Sequence, residues 1–112
     1  MLDETQLRDL MGHDVVDRGG KSIGNLETFF VDKNTSRPEW LGVFSGTFRQ
    51  HHYLVAIEGA KVEGHAIRVP WTKEQVESAP DYGDPETSIP EEMERDAYRH
   101  YGLQPAGIAA ES

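Results

Sequence analysis

Two adjacent histidines, His51 and His52, are the side chains of this chain that most readily suggest chemistry. Neutral imidazole is a common ligand for divalent transition metals. Because neighbouring residues of a strand point to opposite faces, both could bind one ion only from a bent loop. A third ligand would have to come from another part of the chain, such as His65 or Glu63. We therefore predict a solvated loop pair with no metal or other cofactor, and keep a small metal- or ligand-binding protein as the alternative.

The other reactive side chains give little support for catalysis. The 112 residues include no cysteine, which excludes thiol nucleophiles, thiolate ligands and disulfides. The carboxylates of Asp81, Asp84 and Glu86 lack the alternating spacing of a calcium loop, and Pro80 and Pro85 indicate an extended connector. The serines have no histidine and carboxylate partners in a recognisable arrangement. We predict that the protein is not an enzyme.

The net charge of −9 is concentrated in the last third of the chain. Residues 1–73 carry 10 acidic and 9 basic side chains, a net charge of −1, whereas residues 74–112 carry 10 acidic and 2 basic ones, a net charge of −8. Such a field repels phosphates, so the aromatic and basic residues 48–53 do not predict nucleic-acid binding. No apolar leader and no run approaching ~20 apolar residues is present. We expect a cytoplasmic protein without membrane insertion.

A short helix is predicted at the start of the chain. Asp3 is placed to cap it, with Gln6 three residues later in the return position of a capping box. Gly12 is the predicted stop. The helix carries one apolar stripe, formed by Leu7, Leu10 and Met11.

A hairpin is predicted over residues 15–32, with its turn at residues 17–20. Leu26 has the opposite parity to Phe29, so the two would face opposite sides of a regular strand. A β-bulge at residues 27–28 would reconcile them, as bulges do where small sheets curl.

Further apolar runs predict the remaining strands. The unbroken runs at residues 40–44 and 53–57 fit strands covered on both faces. Residues 67–71 alternate between apolar and other positions, which fits a strand with one wet face. A single helical turn is predicted at residues 72–76.

A C-terminal helix is predicted to begin at Pro90 and to stop at Gly102. Its aromatic face packs either on the protein's own barrel or on a second copy or another protein, since an exposed stripe of this kind would need covering. The candidate interaction surface combines this face with the loop before residue 54, and consists of Phe48, Arg49, Tyr53, Met93, Tyr98 and Tyr101.

Five segments of the chain are similar to the PRC-barrel family: residues 12–17 (GHDVVD), 19–24 (GGKSIG), 31–32 (VD), 69–76 (VPWTKEQV) and 99–103 (RHYGL). The last of these looks like the tail of free-standing members. The resemblance covers about residues 5–103 and is specific for the fold. The family's domain occurs in the H subunit of bacterial photosynthetic reaction centres and at the C-terminus of a ribosome maturation factor. In both proteins it looks like a docking element. The resemblance therefore implies a non-catalytic binding role, here in a free-standing bacterial member of the family.

We therefore predict a mainly β protein, a small bent β-barrel of about six strands with a short N-terminal helix and a C-terminal helix. The predicted organisation is a barrel domain over residues 5–78, an acidic linker and helix over 79–103, and a disordered tail over 104–112. The predicted function is that of a docking or scaffold module for a protein partner or for a second copy in a homodimer.

Overall fold

One mixed sheet of six strands organises the chain. The computed structural model describes residues 2–32, 34–46, 50–83 and 89–103. The strands are β1 Asp14–Val16, β2 Ser22–Val31, β3 Pro38–Ser45, β4 His51–Ala56, β5 Lys61–Glu63 and β6 Ala66–Arg68. The helices are α1 Glu4–Asp9, α2 Lys73–Glu77 and α3 Glu91–His100.

The spatial order of the strands is β4-β3-β2-β1-β6-β5. The β1–β6 pair is parallel and the other four pairs are antiparallel. The mainly β class and the expected six strands are confirmed. Within the described residues the sheet is open, because β4 and β5 are its two edges and do not pair with each other.

The predicted capping box at the start of α1 is present. Asp3 Oδ1 accepts from the Gln6 backbone N–H at 2.8 Å, and Gln6 Oε1 accepts from the Asp3 backbone N–H at 3.0 Å. Leu7 is fully buried, as the apolar stripe predicts. Met11 is 40% exposed, so the prediction that it belongs to the apolar stripe was wrong. The helix ends at Asp9, so helical spacing does not extend to Met11.

The β1–β2 turn is held by a buried aspartate. Asp17 accepts hydrogen bonds from the backbone N–H groups of Gly19 (2.8 Å), Lys21 (2.8 Å) and Lys73 (3.2 Å). Burial by itself would raise the pKa of Asp17, but these donors and the charge of Lys21 outweigh it and lower the pKa. One carboxylate therefore joins the hairpin turn to the start of α2.

The predicted β-bulge in β2 is confirmed. The register of β2 against β3 shifts between Leu26 and Thr28, so Glu27 has no direct partner in the ladder. Leu26 can then reach the buried core while Phe29, three residues later, packs against the same core. A second shift follows between Phe30 and Val31.

The apolar residues form two clusters, one on each face of the sheet. The inner cluster includes Leu41, Val43 and Val55 together with Leu7 of α1 and Val76 of α2. The outer cluster consists of Trp40, Leu54, Ala56, Ala79, Tyr82, Ala97, Tyr98 and Tyr101. Alternate residues of β3 and β4 thus enter different clusters, which confirms that both strands are covered on both faces.

Helix α3 covers the outer face. Pro90 is its N-cap, so the helix begins one residue later than predicted. Gly102 ends it with φ +69°, as predicted. The Leu103 N–H donates to Tyr98 O at 2.8 Å and the Gly102 N–H to Arg99 O at 3.1 Å, the pattern of a Schellman motif. Leu103 packs against the outer cluster; the predicted tail, residues 104–112, lies outside the described residues.

Across the described residues, no helix combines the length and apolar character needed to cross a bilayer.

Candidate interaction groove

The histidine pair belongs to a strand and not to a loop, which corrects the sequence-based prediction. His51 pairs with Ser45 and His52 with Phe44 at the start of β4. The His51 ring stacks on Tyr53, with ring centroids 5.4 Å apart, whereas His52 Nδ1 lies 2.5 Å from Glu27 Oε2. Because the two rings point to opposite faces, they do not converge on one ion. No group of three or more histidine or carboxylate side chains suited to a metal occurs in the described part of the chain.

The tyrosines of the candidate interaction surface are buried in the protein itself. Tyr53, Tyr98 and Tyr101 are 7%, 8% and 4% exposed. Tyr101 Oη donates to Leu54 O at 2.6 Å, which fixes α3 on β4. Of the two alternatives for the helix face, the structure shows packing on the same chain, so Tyr98 and Tyr101 are not surface contacts. Tyr53 is buried separately, in the inner cluster.

The outer face of the sheet explains why Tyr98 and Tyr101 are buried. Its apolar side chains would be exposed to water if the aromatic side of α3 did not cover them. Met93 is half-buried and packs against the outer cluster. Phe48 and Arg49 lie outside the described residues.

An open groove lies where the C-terminal end of α3 meets the start of β3 and the residues that follow β4. Its volume is about 420 Å³. Apolar and aromatic side chains, among them Trp40, Tyr98 and Leu103, line its walls. Charged side chains also line it: Arg37, Glu39 and Glu58. Arg37 and Glu58 are exposed, so the groove combines apolar walls with a charged, accessible rim.

Glu39 is the most perturbed acid of this groove. Its carboxylate accepts a hydrogen bond from Tyr98 Oη and is hydrogen-bonded to Asp32. Burial, the Asp32 contact and the negative charges of Asp32, Glu94 and Glu58 raise the pKa of Glu39 to about 7. The carboxyl group therefore exchanges its proton near neutral pH.

Asp32 has the opposite perturbation. Its Oδ1 accepts from the backbone N–H groups of Asn34 at 2.6 Å and Thr35 at 3.1 Å, and these bonds lower its pKa. Near neutral pH, Asp32 stays charged beside a Glu39 that holds a proton part of the time. Two neighbouring carboxyls with separated pKa values share one proton in this way.

Replacing Glu39 by glutamine is expected to stabilise the protein at alkaline pH. The folded-state pKa of Glu39, about 7, lies above its ordinary value of 4.5. At a pH between 4.5 and about 7, Glu39 has lost its proton in the unfolded chain but keeps it in the folded chain. Rising pH therefore favours unfolding. Glu39→Gln should match the wild type near pH 5 and exceed it by on the order of 1 kcal/mol near pH 8, after allowing for solvent screening.

Urea unfolding at the two pH values measures this difference. Asp9→Asn, which removes an exposed carboxylate of α1, serves as the control and should change the free energy of unfolding equally at both. If Glu39→Gln also changes the free energy of unfolding equally at both pH values, the raised pKa of Glu39 is contradicted.

Sequence reasoning missed Glu39. One signal was present, because the residue directly precedes the apolar run at 40–44. The neighbours that perturb it, Asp32, Glu58 and Glu94, come from three other parts of the chain. Only the tertiary structure brings them into one region.

The family model of the PRC-barrel domain matches residues 2–76. The chain belongs to the PRC-barrel family. The match ends within α2, so α3 lies beyond it. The groove is thus built jointly, from β3 and the end of β4 inside the PRC-barrel domain and from Tyr98 and Leu103 after it. No curated protein matches this PRC-barrel chain.

Proposed function

We propose that this PRC-barrel protein is a non-catalytic interaction module of the cytoplasm and that the groove between β3 and α3 is its contact surface for a protein partner. The observation that carries the proposal is the groove itself. It combines buried aromatic walls at Trp40 and Tyr98 with exposed charges at Arg37 and Glu58. An apolar centre with a polar rim is the usual anatomy of a protein–protein contact.

The contacts of His52, which lies next to the Glu27 carboxylate, support a non-catalytic function. His52 Nδ1 faces Glu27, and the His52 backbone N–H donates to Asp81 Oδ2 at 3.1 Å. Glu27 also accepts from Tyr82 Oη. These contacts join β2, β4 and residues 81–82. His52 and Tyr82 both make their hydrogen bonds to Glu27, which fits a cluster that holds these strands together.

Site-specific photo-crosslinking in the native cells tests the proposal. A photoreactive amino acid replaces Arg37 at the groove, and in a matched variant it replaces Arg8, an exposed arginine of α1. Helix α1 packs on the inner cluster, on the other face of the sheet. We expect one protein, identified by mass spectrometry, to crosslink from position 37 and not from position 8.

Crosslinking of a second copy of the chain from position 37 would identify the groove as a homodimer contact. The same crosslinked proteins from both positions, or none from either, would contradict the proposed contact surface.

A further inference from the structure

We infer that the groove binds a lysine- or arginine-bearing segment of the partner protein, with the cationic side chain at the Glu39–Glu58 side. This inference rests on the proposed function and names the chemistry of the partner.

The charges around the groove are mostly negative. Glu39 and Glu58 line it, and Asp32 and Glu94 lie close enough to perturb Glu39. Arg37 is the cation among the lining residues and offsets one of these charges. The ion pairs formed within the described residues involve other acids, so none of them neutralises these four. A cationic partner is therefore attracted and an anionic one repelled.

The walls fit a long cationic side chain better than a small ion or an apolar group. Lysine and arginine pack their methylene stems against apolar surface while the charged head stays at a polar rim. Leu103 and Tyr98 offer such a surface beside the Glu39 carboxylate. A purely apolar ligand would instead desolvate Glu39 and Glu58 without pairing them, which costs free energy.

Proton exchange at Glu39 gives the interaction a defined pH dependence. The groups that face it are Asp32 from the turn after β2, Glu58 after β4, Glu94 and Tyr98 from α3, and Arg37 beside it in the groove. A bound cation favours the ionised carboxylate and so competes with the proton. Since the pKa of Glu39 is about 7, the affinity for a cation should rise between about pH 6 and pH 8.

The test uses two labelled peptides that differ only in charge. One is an acetylated and amidated hexapeptide of alternating arginine and glycine, and the other carries citrulline, the neutral isostere, in place of arginine. Binding is measured by fluorescence anisotropy at low salt, and the contact is mapped by amide and indole NMR shifts. We expect the arginine peptide to bind about tenfold more tightly than the citrulline peptide, as several rim charges would give.

Charge-matched variants locate the binding. Glu39→Gln combined with Glu58→Gln should weaken arginine-peptide binding by about fivefold or more. Glu4→Gln combined with Asp9→Asn also removes two carboxyl groups, here from α1, and should change arginine-peptide binding less than about twofold. The NMR shifts should centre on the Trp40 indole and Leu103, and the pH dependence should vanish in Glu39→Gln.

Three results would overturn the inference: no saturable binding of the arginine peptide, equal binding of the two peptides, or equal losses in the two double variants. The crosslinking experiment separates this failure from that of the proposed function. If position 37 still crosslinks one protein, the interaction module stands and its partner is not cationic. If position 37 also crosslinks nothing, both proposals fail.

Discussion

Truncation of the chain after Gly83 is expected to lower the midpoint of thermal unfolding by at least about 15 °C. The truncation removes α3 and uncovers Trp40 and Leu54, which are 1% and 0% exposed in the intact protein. Burial of one large apolar side chain contributes about 1.5–3 kcal/mol. The loss from these two alone is therefore about 3–6 kcal/mol, against a typical domain stability of about 5–15 kcal/mol.

The same experiment decides what α3 does. Truncation after Leu103 is the control and should leave the midpoint unchanged, because the outer-cluster contacts of the described chain end at Leu103. Circular dichroism gives the midpoints, and binding of a hydrophobic dye reports the exposed outer face. A chain ending at Gly83 that melts like the intact protein would contradict a core role for α3.

Gly24→Ala adds only one methyl group but is expected to lower the free energy of unfolding by about 2–4 kcal/mol. A Cβ atom at Gly24 would overlap the Phe44 carbonyl oxygen and lie 2.9 Å from the Phe44 carbonyl carbon. These atoms belong to the backbone of β3, which pairs with β2 on one side and β4 on the other. The added methyl group can be accommodated only by moving a central strand.

Gly19→Ala is the matched control for Gly24→Ala. A Cβ atom at Gly19 would have Asp17 Oδ1 as its nearest neighbour at 3.5 Å, an ordinary contact. We expect a change within about 0.5 kcal/mol for this variant, measured by urea unfolding of both proteins. If the two alanine variants have the same stability, the close approach of β2 and β3 at Phe44 is wrong.

Local chemistry explains which structural predictions were confirmed. The α1 capping box needs only a carboxylate and an amide three residues apart, and Asp3 and Gln6 supply them. The α3 stop needs only a residue that accepts positive φ, and Gly102 supplies it. The bulge at Glu27 follows from the parity of neighbouring apolar residues. Each rule involves a few consecutive residues, so each can be applied without knowing the fold.

The errors came where a residue's surroundings are set by distant parts of the chain. His51 and His52 were assigned to a loop because nothing local shows their pairing with Ser45 and Phe44. The tyrosines of α3 were candidates for a surface because their pattern is the same whether they cover the protein's own sheet or a partner. Their place was decided by Trp40 and Leu54, whose side chains face α3 across the outer cluster.

Periodicity, turn residues and capping pairs act over short distances, so the class of fold, the family and the main turns and caps could be predicted from the order of the amino acids. What covers the outer face and where the groove lies became clear only from the folded protein. The same is true of the state of Glu39, whose pKa depends on burial and on Asp32, Glu58 and Glu94. Burial and electrostatic interactions depend on distance in space, so residues far apart in the chain share a site only once the chain has folded.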